Sequence, residues 1–340
     1  MEANSEAQVS EALAWAREQG VPVLVLGGGS NLLIADRGVE ALVLRVRLTG
    51  ITAELRGEAM VVDAGAGERW DEVVARAVAE GWAGIECLSG IPGDVGATPI
   101  QNVGAYGQDV AETITAVRAV ERASGKIVEM DAAACGFGYR DSVFKRAAKN
   151  LLVVTRVTFA LRPGGAPSVR YGELAKALAT FESPSLSEVR AVVLALRKSK
   201  SMLLDPGGEN GQSAGSFFMN PTVDDAALAV VNARVAEAGV LHADEAMPSY
   251  PADAGRTKLA AGWLIERAGF SKGTGAGRVG LSTKHALAVV NRGGATAAEI
   301  VTFAQGVKEG VYARFGVELH AEPVLAGFSA AEIAGLVAES

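Results

Sequence analysis

The sequence predicts an α+β fold, and three observations carry it. Apolar runs of strand type and periodic runs of helix type are interspersed without strict strand–helix–strand alternation. Turn residues punctuate them at short intervals. Neither an internal repeat nor a low-complexity segment occurs in the 340 residues, a length that allows two or three domains with sizeable cores.

Residues 6–19 read as a helix with apolar positions at Val9, Leu13 and Trp15. The runs 21–26 and 41–46 read as buried strands, and 60–64 as a further short one. Over 70–80, the side chains of Trp70, Val73, Val74, Ala77 and Val78 share one helical face, and Gly81 is a natural stop. Residues 113–121 and 126–130 read as a hairpin around 123–125, 151–161 as a long strand, and 164–167 as a turn. Ser185, three residues before Glu188, is a capping box. It opens a helix with Val189, Val192, Val193 and Leu196 on one face, ending in Arg197, Lys198 and Lys200. The polar stretch DPGGENGQ at 205–212 is the best domain boundary. Thr222, Asp224 and Asp225 start another helix, and Thr296 with Glu299 caps a last long one through Ile300, Phe303, Val307 and Val311.

Apolar residues make up 49% and charged residues 21%, an ordinary globular balance. The net charge of −7 and the lack of a long basic run argue against nucleic acid as the main partner. Local basic patches could still bind a phosphorylated small molecule. Cys87 and Cys135 are the only cysteines; they have no metal-type spacing and form no disulfide framework. A reducing cytoplasm and no metal are expected. No apolar stretch reaches the ~18 residues of a membrane span, and residues 1–20 are charged rather than signal-like.

The chemistry concentrates in glycine-rich loops. SGIPGDVGATPIQNVGAYG at 89–107 interleaves glycines with Ser89, Thr98, Gln101 and Asn102. Glycine lets backbone N–H groups approach a ligand, and successive free N–H groups form an anion-binding nest. A second such loop, Gly27, Gly28, Gly29, Ser30 and Asn31, follows the run 21–26. Neither fits the nicotinamide or P-loop spacing. Spacing alone therefore stops at a phosphate-bearing ligand, with FAD one candidate. By itself each loop also reads as a plain turn.

The wording of these loops goes further. GGGSNLL (27–33) and SGIPGDVGATPIQNVGAYG closely resemble the flavin loops of the UDP-N-acetylenolpyruvoylglucosamine reductase (MurB) family, in the form with an extra tyrosine loop. The resemblance continues through YRDSVFK (139–145), SAGSFFMNP (213–221), AGWLIERAG (261–269), KHALAVVN (284–291) and HAEPVLAG (320–327). It implies an FAD-binding fold of the vanillyl-alcohol-oxidase/PCMH type in two subdomains, followed by a substrate-binding domain. The expected boundaries are 1–48 for the first subdomain, 49–205 joined by 316–340 for the second, and 206–315 for the substrate domain. Family members carry a further strand and a Thr/Gly-rich segment before the helix at 6–19, so an N-terminally incomplete first subdomain is expected.

The resemblance also implies residue roles. FAD contacts fall on Gly27, Gly28, Gly29, Ser30, Asn31, Ser89, Gly90, Ile91, Pro92, Gly93, Gly96, Ala97, Gln101, Asn102, Gly104, Ala105 and Tyr106. Ser216, which by sequence alone reads as a turn or cap residue, becomes the acid that protonates the substrate. Arg140, otherwise a surface ion-pair residue, faces the substrate carboxylate, where a planar fork stabilises an enolate. Glu322 is the second enolate stabiliser and is expected to be protonated through burial. Tyr139, Tyr171, Lys200, Asn220, Tyr250 and His285 fall at substrate positions, with Tyr171 a lid over the diphosphate. Lys200 reads equally as a cation at a helix C-terminus.

The implied reaction is NADPH-dependent, FAD-mediated reduction of UDP-N-acetylglucosamine enolpyruvate to UDP-N-acetylmuramate in peptidoglycan precursor synthesis. The hydride comes from flavin N5 and the chain acts as a cytoplasmic monomer. Two rivals stand beside it: another flavin oxidoreductase on the same fold, such as a sugar oxidase, and a non-catalytic UDP-sugar-binding regulator.

Overall fold

Long apolar runs of period two and helices of period 3.6 bury their faces on one another. In the computed structural model, which describes residues 1–204, 208, 210–242 and 245–337, the chain divides into two compact units. One is Met1–Gly29 with Glu40–Lys198; the other is Ser30–Val39 with Ser199–Ser340.

The first unit holds two sheets. A small parallel sheet has the order Glu2–Ala3, Leu42–Val46, Val23–Leu26. The helix Glu6–Glu18 buries Val9 and Leu13, while Trp15 is 50% exposed and stands outside that core. A larger antiparallel sheet runs Ile127–Asp131, Ile114–Glu121, Leu152–Pro163, Ala59–Gly65, Ile51–Arg56. The hairpin of the first two strands forms as the turn signal predicts. On this sheet lies the helix Trp70–Ala79, which buries Trp70, Val73, Val74, Ala77 and Val78, the face the sequence periodicity marks. The Trp70 ring meets Phe159 of the central strand at 5.7 Å, and its Nε1 donates to the Leu88 carbonyl. The helix thereby reaches the entrance of the long glycine-rich loop.

In the second unit, the helix Ala297–Phe315 buries Ala297, Val301, Ala304, Val307, Val311 and Phe315. Its capping box is complete: Thr296 Oγ1 accepts from Glu299 N (3.1 Å) and the Glu299 carboxylate accepts from Thr296 N (2.7 Å). Asp36 adds a second cap, accepting from the N–H groups of Ala297 (2.8 Å) and Ala298 (3.2 Å). Helix Asp225–Glu237 starts at Asp224, whose carboxylate accepts from Ala227 N; Thr222, expected with it, lies in the strand Thr222–Val223 instead.

The C-terminal stretch 316–340 was expected to join 49–205, but it clusters with the second unit. The reason is backbone pairing and burial. Val324–Ala326 pairs in parallel with Leu32–Ile34, and Val317 and Leu319 are buried in the second unit's core. The change of unit comes after Lys198, ahead of the expected boundary at 205–212, of which residues 205–207 and 209 lie outside the described residues.

Candidate active site

In the first unit the two glycine-rich loops meet backbone to backbone. A Cβ on Gly28 would lie 2.9 Å from Gly93 Cα and 3.2 Å from an Asp94 carboxylate oxygen. Gly29 and Gly93 have φ of +71° and +112°, left-handed values that suit glycine. The loop 89–96 is strapped from behind: Gly90 N donates to Asp71, Trp70 N to Gly93 O, and Gly96 N to Ala66 O. Among the described residues, the N–H groups of Gly28, Gly29, Ile91 and Gly93 have no protein acceptor. Backbone N–H groups left without protein acceptors in two glycine-rich loops that cross suit the diphosphate of a dinucleotide.

Asp94, which sequence reading passed over, sits at this crossing only 8% exposed. Burial pushes its carboxyl above the usual aspartate range, against the pull of Arg47, Arg45 and Arg69.

Asp71 also forms a two-pronged pair with Arg190 (2.6 and 2.9 Å). Burial would raise its carboxyl, but the hydrogen bonds from Arg190 and Gly90 and the charge of Arg190 hold it below the ordinary aspartate range. A depressed carboxylate adds stability above its unfolded pKa and loses it as pH falls through the folded value. Asp71→Asn is therefore expected to lower Tm at neutral pH, by a margin that shrinks below about pH 4. A margin that stays constant through an acid titration followed by circular dichroism would contradict this.

Other residues of the long loop serve the loop itself. Ser89 is fully buried, its hydroxyl donating to the Glu86 carbonyl. Both ends of the Asn102 amide are used by the backbone: Nδ2 donates to Gly138 O and Oδ1 accepts from Ala111 N. Gln101 Oε1 accepts from Lys145 Nζ at 3.5 Å, and Ala97 is exposed.

Arg140 is held over this loop. Its guanidinium donates to the carbonyls of Gly104 and Asn102, lies 3.7 Å from the Asp109 carboxylate, and sits 5.4 Å from the Tyr139 ring centre. Arg140 has φ +51°, and its own carbonyl accepts from Lys145 Nζ at 2.7 Å. Gly104 makes the arrangement possible, because a Cβ there would lie 1.6 Å from Asp109 Oδ1 and 2.9 Å from Arg140 Nη1. Asp109 and Lys145 are thus site-building residues that the motif reading missed. Tyr106 and Tyr171 meet edge to face at 5.7 Å. Burial holds the Tyr106 hydroxyl up at about 12. Ala105 pairs with Gln108 in the short turn that presents Tyr106.

In the second unit, the segment 216–219 is laced on both sides. Phe217 N donates to Leu287 O (2.6 Å), Met219 N to His320 O (3.0 Å), and Glu322 N to Phe217 O (2.8 Å). Phe217 and Phe218 anchor it, being 2% and 1% exposed. This lacing places Ser216 beside His285, with Oγ and Nε2 3.4 Å apart, and brings the Glu322 backbone against the residue after Ser216. Asn31 Nδ2 donates to the Glu322 carbonyl (3.3 Å), and Asn31 O accepts from Val324 N. Asn220 Oδ1 accepts from Ala261 N at the start of the helix Ala261–Arg267.

Tyr250, 45% exposed, lies in the strand Ser249–Pro251 directly opposite Lys258, a cation the sequence reading did not single out. Glu245 pins the segment before it, accepting from Trp263 Nε1 (2.8 Å) and Arg267 Nη2 (2.8 Å). These bonds, the one from Trp263 foremost, hold its carboxyl down at about 2. Lys200 lies in the turn just after the helix Leu186–Ser199. Among the described residues no group of three or more His, Cys, Asp and Glu could hold a metal ion, and no helix is long and apolar enough to cross a membrane.

Comparison with known proteins agrees with both units. The FAD binding domain model matches residues 1–131, and the model for the C-terminal domain of UDP-N-acetylenolpyruvoylglucosamine reductase matches residues 205–326. The UDP-N-acetylenolpyruvoylglucosamine reductase of Thermobifida fusca is 47% identical over 330 residues, 95% of this chain and 92% of that protein. That of Mycobacterium tuberculosis is 48% identical over 312 residues, 89% of this chain and 82% of that one. The crystal structure of the reductase from Thermus caldophilus matches with a TM-score of 0.61 at 25% identity, covering 96% of this chain and 91% of that chain. With close to half its residues shared over nearly its whole length, the chain belongs to the UDP-N-acetylenolpyruvoylglucosamine reductase family.

Proposed function

We propose that the chain reduces UDP-N-acetylglucosamine enolpyruvate to UDP-N-acetylmuramate with NADPH, using FAD. The observation that carries this reading is the backbone bond from Glu322 N to Phe217 O, which holds the chain at Glu322 against the residue after Ser216. FAD, once bound, supplies the hydride that no side chain can provide; Gly28, Gly29, Ile91 and Gly93 would hold its diphosphate.

The side chains manage the charge and the proton. Hydride addition to the terminal enolpyruvyl carbon leaves an enolate spread over the substrate carboxylate. Arg140 meets it with a planar, permanently charged fork, already oriented by carbonyls and Asp109. Glu322 stabilises the same enolate, and Ser216 gives its hydroxyl proton to the adjacent carbon. Tyr171, Lys200, Tyr250 and Lys258 bind the diphosphate and Asn220 the sugar side, with Tyr171 closing over the phosphates. We place the reaction in the cytoplasm, in a monomer, where its product feeds peptidoglycan synthesis and so cell shape and division.

Two substrates reacting in turn should give ping-pong kinetics. Parallel initial-rate lines are expected, and intersecting lines overturn the reading. Followed anaerobically, the visible flavin band should bleach with NADPH and return on adding the enolpyruvyl UDP-sugar. A protein that stays colourless with added FAD yet binds the UDP-sugar would instead be a regulator.

Gly104→Ala tests the seating of Arg140. The added methyl displaces Asp109 and the arginine fork, and a misplacement near 1 Å costs about 10²-fold in rate. The rate of band recovery should fall by that order while bleaching by NADPH is kept. Unchanged recovery would show that the Gly104 contact does not set the position of Arg140.

A further inference from the structure

The contact between Ser216 and His285 has no part in the scheme above. It joins adjacent, registered segments rather than two loose side chains. Phe217 N donates to Leu287 O, Ala288 N to His285 O, and Ser282 Oγ accepts from His285 N (3.3 Å) and Lys284 N (3.1 Å). The imidazole is therefore presented from a fixed turn, with Nε2 3.4 Å from Ser216 Oγ, a separation that tightens readily when a site fills.

We propose that His285 is a positioning residue for the proton donor: its Nε2–H donates to Ser216 Oγ and thereby aims the serine hydrogen at the substrate. The inference rests on Ser216 being the acid. A serine hydroxyl has one hydrogen. If the imidazole accepted it, none would face the substrate carbon; if Nε2–H donates, the hydrogen is left for the substrate. As the new C–H bond forms, the O–H bond breaks and its electron pair stays on Oγ. The N–H dipole then faces developing negative charge, which lowers the barrier without reorganisation. Ser216 regains its proton from water.

Replacing His285 by glutamine keeps an N–H donor; alanine removes it. In His285→Ala, flavin bleaching by NADPH should stay near the wild-type rate, while band recovery at saturating UDP-sugar slows about 10²-fold, the worth of one donor aimed at developing charge. His285→Gln should recover most of that loss. The double variant Ser216→Ala/His285→Ala should be no slower than Ser216→Ala alone. Nitrogen-15 NMR of the three histidines should show His285 protonated at Nε2, a readout independent of turnover. Proton at Nδ1 only, glutamine as slow as alanine, or a loss confined to UDP-sugar affinity would each overturn the proposal. Wild-type recovery in Ser216→Ala would instead remove the acid assignment beneath it.

Discussion

Ser216→Ala is expected to leave bleaching of the flavin band by NADPH at its normal rate. Recovery on adding the enolpyruvyl UDP-sugar should slow by about 10²–10⁴-fold, the usual worth of a positioned proton donor. The separation of effects follows from where the serine sits. Its hydroxyl projects from a segment whose backbone is held on both sides by Leu287, His320 and Glu322, so losing one oxygen leaves the frame intact. Phe217 and Phe218 remain as anchors. Single-turnover absorbance traces decide the matter. Equal slowing of both phases would mean that the substitution disturbs the cofactor and that the acid is another group.

Gly28→Val should act on the cofactor itself. The nearest atom to the new side chain is backbone, Gly93 Cα at 2.9 Å, which cannot swing aside as a flexible side chain does; the Asp94 carboxylate follows at 3.2 Å and Gly93 C at 3.4 Å. The two loops must separate, and the converging N–H groups of the nest separate with them. The affinity for FAD should drop about 100-fold or more, equivalent to about 2.7 kcal/mol, leaving a colourless protein on purification. Titration of FAD fluorescence measures it. Wild-type affinity would show that the crossing of the loops does not hold the diphosphate.

The parts of the fold that could be read from the sequence are those with local causes. The helix Trp70–Ala79 announces itself by period, and Ala297–Phe315 by its capping box. The strands Glu2–Ala3 and Leu32–Ile34 are too short for any period to show, and exist because distant partners complete their hydrogen bonds. The pairing of Val324–Ala326 with Leu32–Ile34 is equally invisible in local sequence. In the site, glycine-rich composition marks the two loops, but polar residues within them can turn toward a ligand or back into the protein. Ser89 and Asn102 turn back, and nothing in their spacing says so. Arg140, Ser216 and Glu322 carry no local signal of their roles; resemblance alone singles them out. Their supports, Asp109 for the arginine and His285 for the serine, emerge only once the chain is folded.

The excursion of residues 30–39 into the second unit sets a timetable for synthesis. Asp36 waits for a helix that begins 261 residues later, and Asn31 for a carbonyl 291 residues on. At the ordinary elongation rate of about 5–20 residues per second, that wait is roughly 13–60 seconds. Until then the strand Leu32–Ile34 is an unpaired edge, the kind of surface that sticks to other chains. The newborn polypeptide therefore carries that edge without its partner strand until the ribosome has passed Val324–Ala326, and a chain released earlier would never pair it.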